Sequence, residues 1–424
     1  MTAELVRGVR DFSPGEAIAL KEITSVIEEV FKRFGFYPIE TPSIESTETL
    51  DAKAYGQESR NEIYLLEGEK AGLIYDLTVP LARYISMNKD VVLPFKRYQI
   101  TRVWRRDEPQ KMRSREFMQA DIDIVGSKDP LCEAEIIGAN ALALEALGIH
   151  DYTILINSRV FLNAILNLFK IPEDKQTAAI IAIDKLAKTG RKEVAEQLER
   201  IGVDARTSES LLNMMKEELE NGEKLEKLVT KSDGVKAEVE NMNAILGMLA
   251  RYNLRGKIAV DFSLARGLNY YTGTIWEFVV REHSKQLPTL ASGGRYDKLI
   301  GIYSKSGLPA VGTSIGIYRI YEMLKSTEGA LTSARAFVAY IGKENAEYAI
   351  SMANTLRSNG IYTDLNAKER SLSKQLEYAN SLKIRYTIIV GSLERQANKA
   401  KIRDMVNGNE EMLNINELIQ KLKG

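Results

Sequence analysis

The stretch Arg266-Gly267-Leu268-Asn269-Tyr270-Tyr271 places an anion-binding side chain, a glycine and two phenols side by side. Arg266 offers a planar fork of donors that fits a phosphate or a carboxylate. Gly267 lets the backbone come close to a ligand. In an extended segment Tyr270 and Tyr271 point to opposite faces, so that one packs while the other faces a pocket. The competing reading is a turn with a surface arginine and two structural tyrosines. Two other stretches fit the same pocket: an arginine-rich one around Arg105, and a glycine-bearing one from Gly312 to Arg319. With only His150 and His283 in the chain, a histidine-centred mechanism is disfavoured, and the chemistry must run on arginines, carboxylates and any added metal.

At 424 residues the chain calls for two or three domains. Hydrophobic content of 44% and charged content of 27% are those of a soluble globular protein. The 58 basic and 58 acidic residues balance, so nucleic acid could be bound only through local basic patches. The single cysteine, Cys132, excludes an internal disulfide framework and a cysteine-clustered zinc site, which suits a reducing cytoplasm. No apolar run approaches the ~20 residues that span a bilayer, and the N-terminus has no signal-peptide core.

The elements that must position the chemistry follow from periodicity. Ser13 and Glu16 have capping-box spacing, Pro14 suits a first helical position, and apolar residues from Ile18 to Phe34 recur at helical period until Gly35. Phe36 to Glu40 reads as a short strand. Ile63 to Leu66 and Leu73 to Thr78 read as a strand hairpin, followed by a helix opened at Pro80. Asp76 and Thr78 would then share a strand face and accept from one ligand amine, or else cap the helix. Lys96–Arg105 and Arg115–Val125 read as two long strands joined by a polar loop. Phe117, Gln119, Asp121 and Asp123 fall on one face of the second. Polar residues at alternate positions of a central strand cost stability unless they hold a ligand, the bland alternative being a solvent-facing side.

A helix over 129–148 and a strand from Thr153 to Asn157 come next. Helical spacing then runs from Ser158 to about Tyr252, a helical insertion with solvated charged faces. Strand character returns at Lys257–Phe262 and Ile275–Val280. Ala291 to Asp297 reads as a paired-glycine turn before a short helix, and Pro309 to Arg319 as a glycine-bearing strand entering a helix. Beyond a polar linker, strands and helices alternate from Ala336 onward, which argues a small α/β domain with a mostly parallel sheet. Lys368, Arg370, Lys374, Lys383, Arg385, Arg395, Lys399, Lys401 and Arg403 make it locally basic. Nucleic acid would explain that patch, although solvated lysines are the commoner reason.

Taken in order, these stretches resemble the motifs of class II aminoacyl-tRNA synthetases, and specifically of histidyl-tRNA synthetases of the archaeal and eukaryotic type. Phe31 to Pro42 resembles the interface motif. Trp104-Arg105-Arg106-Asp107, with its loop and Arg115 to Gly126, resembles the second class motif, and Gly312 to Arg319 the third. Arg266 to Tyr271 and Ser292-Gly293-Gly294-Arg295-Tyr296-Asp297 resemble the two stretches peculiar to the histidine enzymes.

The resemblance implies an α+β catalytic domain with an antiparallel sheet over residues 1–325, containing the helical insertion at 158–252. A linker at 326–335 and a C-terminal α/β anticodon-binding domain at 336–424 would follow. It implies activation of L-histidine by ATP and transfer of the histidyl group to tRNA(His), by a homodimer without membrane association. Arg105 and Arg266 would be catalytic, holding the histidine carboxylate and the α-phosphate together. Asp76, Leu77, Thr78 and Gln119 would read the histidine main-chain groups alongside them. Asp123 with Tyr270 or Tyr271 would read the ring. Arg105, Asp107, Arg113, Phe117, Arg266 and Arg319 would hold ATP, with Mg²⁺ bridging its phosphates and no metal-ligating residues assigned. Gln110, Lys111 and Arg113 would approach the tRNA acceptor end. Two departures stand out: Ile74 occupies a position where much of the family has arginine, and Asn269 one where aspartate is usual. The competing expectations are a non-charging regulatory or tRNA-sensing relative, and a class II enzyme for glycine, proline or threonine.

Overall fold

A computed structural model describes residues 3–51, 62–110, 112–216, 233–265, 270–282, 285–286, 289–304, 307–324, 331–368 and 370–423. By internal contacts the chain divides into two units, Met1–Arg10 with Ile23–Leu324, and Asp11–Glu22 with Lys325–Gly424.

The first unit is built on an eight-stranded sheet. Its strands are β1 (Tyr37–Pro38), β2 (Phe95–Trp104), β3 (Glu116–Val125), β4 (Thr153–Ser158), β5 (Ile258–Val260), β6 (Thr274–Val279), β7 (Ala291–Arg295) and β8 (Ala310–Gly316). They lie in the order β1-β2-β3-β8-β7-β6-β4-β5. Pairing is antiparallel from β2 through to β4, whereas β1 on β2 and β5 on β4 are parallel, so the sheet is mixed at its two ends.

Helix α1 (Pro14–Arg33) begins as the proline predicts, with the Ser13 amide donating to the Glu16 carboxylate at 2.8 Å. Helix α2 is Thr78–Met87, separated by four residues from the short strand Ala71–Leu73. The expected strand from Leu73 to Thr78 is therefore too long, and Asp76 and Thr78 stand at a helix start. The Asp76 carboxylate accepts from the Val79 amide at 3.1 Å, which replaces a hydrogen bond the first turn lacks, and Pro80 sits where no intrahelical donor is needed. The strand expected at Ile63–Leu66 is reduced to a bridge between Leu65 and Gly72.

Helix α3 (Leu131–Ala146) is apolar around most of its circumference because it lies between the sheet and helix α4 (Asp233–Leu249). Its Glu133, fully buried, meets Arg295 of β7 in two hydrogen bonds of 2.6 and 2.7 Å. That two-point pair pins β7 to the helix and with it the next residue, Tyr296. The paired glycines of β7 form strand rather than the expected turn. A Cβ on Gly293 would stand 2.2 Å from the Gly312 carbonyl and 2.7 Å from the buried Trp276 ring, so the missing side chain lets β7, β8 and that ring approach. The helical spacing of the insertion is observed as helices Arg159–Leu168, Glu173–Ile183, Leu186–Thr189, Arg191–Arg200 and Ala205–Lys216, leading to α4. Helix α5 (Ile317–Leu324) continues from β8.

The second unit carries strands β9 (Ala336–Tyr340), β10 (Thr363–Leu365), β11 (Tyr386–Val390), β12 (Ala400–Asp404) and β13 (Glu410–Leu413), ordered β10-β9-β11-β12-β13. The first three run parallel, but β12 and β13 add an antiparallel hairpin, so the sheet is mixed rather than mostly parallel. Alternation along β9 sends Val338 to a core with helices Ala346–Ser358 and Ile415–Lys423, and Phe337 and Ala339 to a core with helix Leu372–Ser381. No helix among the described residues is long and apolar enough to cross a membrane.

Candidate active site

The face of the first unit's sheet that carries Phe117, Gln119, Asp121 and Asp123 forms the floor of a cavity of about 380 Å³. Cross-strand register explains why these four share it. Asp123 stands opposite Arg97 of β2 and Gly312 of β8, Asp121 opposite Gln99 and Ser314, and Gln119 opposite Thr101 and Gly316. Two-residue steps of a strand spread Phe117 to Asp123 over roughly 20 Å, long enough for two ligand parts in line.

At the Asp123 end the floor is deep and charged. Arg97, with no exposed surface, places Nη2 2.6 Å from an Asp123 oxygen and 3.0 Å from the Leu77 carbonyl. The other Asp123 oxygen accepts from the Tyr296 hydroxyl. Burial drives the Asp123 carboxyl above its ordinary range, opposed by Arg97 and by the tyrosine. Gly312 makes this possible, since a Cβ there would lie 1.7 Å from the Asp123 carboxylate. Gln119 donates to the Ser314 hydroxyl at 2.6 Å. Asp76 and Thr78 line the wall at this end, brought in by the start of α2.

Tyr270 and Tyr271 both line the cavity, with ring centroids 4.5 Å apart and hydroxyls 3.4 Å apart. The expectation that they point to opposite faces fails, because Tyr270 lies in a turn and Tyr271 outside any strand. Tyr270 also meets the Tyr296 ring edge-on at 5.7 Å.

The Phe117 end is lined by arginines. Arg105 is held by its Nε, which donates to the Tyr75 carbonyl at 2.9 Å, and its guanidinium lies 5.1 Å from the Phe117 ring centre. Arg113 pairs with Asp107 at 2.9 Å. Arg319 donates to the Thr289 carbonyl at 2.8 Å, and Arg10 pairs with Glu322 at 3.2 Å. All of these line the same cavity.

Two of the expected residues are not brought into it. Leu77 does not line the cavity. Its side chain is buried with Ile74 and Val103, and what it offers is the carbonyl that accepts from Arg97. Gln110 is exposed in the loop, where its backbone N–H and carbonyl exchange hydrogen bonds with the backbone of Arg113. Arg266 and Lys111, with Asn269, lie outside the described residues. Sequence reasoning missed Arg97, Ser314 and the role of Tyr296. The alternation Arg97-Gln99-Thr101 on β2 was the signal for the first, a polar face matching that of β3.

Residues 8–320 match the family model described as histidyl-tRNA synthetase, and residues 335–424 the one described as anticodon binding domain. A histidine–tRNA ligase of Clostridium tetani is 34% identical, covering 99% of this chain and 98% of the relative. One of Korarchaeum cryptofilum is 35% identical, covering 98% and 97%. Bacterial and archaeal relatives thus match alike, and the archaeal and eukaryotic type expected from the motifs is not singled out. The crystal structure of a histidyl-tRNA synthetase from Nostoc superposes with a TM-score of 0.88 at 29% identity, covering 100% of this chain and 99% of that one. A sheet that brings the Arg105–Asp123 and Gly312–Arg319 stretches, with Ser292 and Tyr296, onto one cavity agrees with those similarities, and the chain belongs to the histidyl-tRNA synthetase family.

Proposed function

We infer that this protein is a histidine–tRNA ligase, an aminoacyl-tRNA ligase that uses ATP as substrate. A carboxylate oxygen of L-histidine attacks the α-phosphorus of ATP, the bond to the β-phosphate breaks, and histidyl-adenylate and pyrophosphate form. The 3′-terminal ribose hydroxyl of tRNA(His) then attacks the histidyl carbonyl, and AMP leaves. The observation that carries this reading is the two-ended cavity, with carboxylates and tyrosines on one side and arginines on the other. An amino acid with a ring bearing two nitrogens suits the first end, and a nucleotide the second.

Adenylate formation needs positioning and charge neutralisation at the α-phosphate more than a base. We assign Arg105 to that task, together with Arg266 on the family resemblance. Asp76, Thr78 and Gln119 would hold the ammonium. Asp123, oriented by Arg97 and Tyr296, would accept from one ring nitrogen, and the Tyr270 or Tyr271 hydroxyl would meet the other. Such a pocket would disfavour analogues lacking ring nitrogens, because they would bury its polar groups without offering a hydrogen bond in return. Asp107, Arg113, Phe117 and Arg319 would hold ATP, the base lying between Phe117 and Arg319. Both carboxylates at this end, Asp107 and Glu322, are paired with arginines, so Mg²⁺ would enter on the phosphates of its ATP substrate.

Residues 1–325 would form the catalytic domain, with the 158–252 insertion, and residues 336–424 the anticodon-reading domain after a linker at 326–335. In the latter, Lys368, Arg370 and Lys374 line one shallow concavity with Tyr378, over whose ring Arg370 lies at 4.9 Å. Arg385, Lys401 and Arg403 are paired with Asp404 or Glu410 and contribute less net charge. Gln110, Lys111 and Arg113 would meet the tRNA acceptor end. A homodimer is supported by exposed apolar residues in and after the edge strand β1, among them Tyr37 at 62% and Ile44 at 51%, and a cytoplasmic location is proposed on the family resemblance.

The test is charging of tRNA(His) transcripts by the purified chain with labelled histidine and ATP. Formation of a histidyl ester at the 3′ end is the expected result. Binding of the transcript with no ester formed would instead favour the regulatory, tRNA-sensing alternative.

A further inference from the structure

We infer that Asp121 is a further substrate-reading carboxylate of this cavity, taking the ammonium of the bound amino acid between Gln119 and Asp123; this deepens the ligase reading and rests on it. Asp121 lies midway along the polar face of β3, about 7 Å from each of those neighbours by the strand repeat. Arg97 and Gln99 face it from β2, Ser314 from β8, Asp76 from the segment before α2, and Asp123 from its own strand. None of these groups completes a hydrogen bond to the Asp121 Oδ1. Arg97 directs Nη2 to Asp123 and the Leu77 carbonyl, and the Gln99 amide exchanges hydrogen bonds with Thr41 at 3.0 and 3.2 Å. The Ser314 hydroxyl accepts from Gln119, and the Asp121 Oδ1, in a residue only 4% exposed, has no hydrogen-bond partner. A buried carboxylate oxygen left so beside a cavity is costly unless a ligand donor fills the gap.

Charge points the same way. Asp76, Asp121 and Asp123 bring three carboxylates to this end, and Arg97 is the guanidinium set among them. The carboxylates outnumber the guanidinium, and a substrate ammonium reduces that excess. Asp123 is already gripped at both oxygens by Arg97 and Tyr296, which leaves Asp121 the freer acceptor. Until the ligand arrives a proton takes its place part of the time near neutrality. Burial, opposed by Arg97 and reinforced by Asp123, pushes the Asp121 carboxyl up to about 7. The arriving ammonium lowers that value and expels the proton. The contribution of Asp121 to binding is therefore full above pH 7 and fades as the pH falls below it.

The experiment is calorimetric titration of the full chain with L-histidine at pH 7, in two buffers of different ionisation enthalpy, for wild type and Asp121→Asn. Subtraction cancels the titration of the substrate ring. Wild type should release about half a proton more than the variant. Asp121→Asn should raise the histidine KM in ATP–pyrophosphate exchange about tenfold or more, with a smaller change in kcat. Equal proton release and a KM within about twofold would overturn the inference. Should the variant not fold, triazolylalanine, whose ring takes up no proton near neutrality, is titrated into wild type. Release that falls from about half a proton at pH 7 towards none at pH 8.5 supports the role, and release independent of pH refutes it. Wild type lacking all histidine-dependent exchange would instead sink the ligase reading, a failure distinguishable from that of Asp121 alone.

Discussion

Arg105→Ala should lower the kcat of histidine-dependent ATP–pyrophosphate exchange by about 10³-fold, the loss expected when one preorganised donor to a developing charge is removed. The geometry makes Arg105 fit for this. Its Nε is fixed on the Tyr75 carbonyl and its plane lies by the Phe117 ring, so the remaining donors are held at one position without freezing a long side chain at the moment of reaction. Arg105→Lys should recover little, since an ammonium offers no planar fork to bridge a carboxylate and a phosphate. The half-buried position of Arg105 predicts a melting temperature close to that of wild type for both variants. A fall in exchange of less than about tenfold would remove Arg105 from the chemistry.

Asp123→Ala should cost both fold and function. It leaves the fully buried Arg97 guanidinium without the carboxylate 2.6 Å away, and losing one partner of a buried pair costs about 3–5 kcal/mol. A drop of several degrees in the first thermal transition follows, with loss of histidine-dependent exchange. Asp123→Asn keeps the volume and tests charge: milder melting, but exchange reduced by about 10²-fold or more. Gly312→Ala reaches the same residue from the neighbouring strand, because its Cβ must displace the Asp123 carboxylate. It should raise the histidine KM with little effect on that for ATP. An Asp123→Ala protein that melts like wild type and still activates histidine would contradict the account of this floor.

Much of this site was legible from polar residues standing where a strand should be apolar. Gln119, Asp121 and Asp123 marked a polar strand face that the structure turns to a cavity, and register then placed Arg97 and Ser314 beside it, which one strand's pattern does not reveal. Tyr296 stayed hidden because a glycine pair resembles a turn until the Trp276 ring and the neighbouring strand occupy the space a side chain would need. For Asp76 the sequence leaves a strand face and a helix cap both open, and the structure takes the cap, its carboxylate accepting from the Val79 amide. In the second unit β12 and β13 escaped notice, as Ala-Lys-Ile-Arg-Asp and Glu-Glu-Met-Leu carry charges that suit a hairpin with one solvated side. The long strands β2 and β3 and the helix entry at Pro14 needed no such context, since period and capping signals are local.

The most direct measurement is ATP–pyrophosphate exchange by the purified chain with each of the twenty amino acids in turn. Exchange supported by histidine and by none of the others is the predicted result, since the proposed pocket sets the Asp123 carboxylate and two tyrosine hydroxyls to receive a ring with two nitrogens. Exchange driven by glycine, proline or threonine, or none with any amino acid, would contradict it.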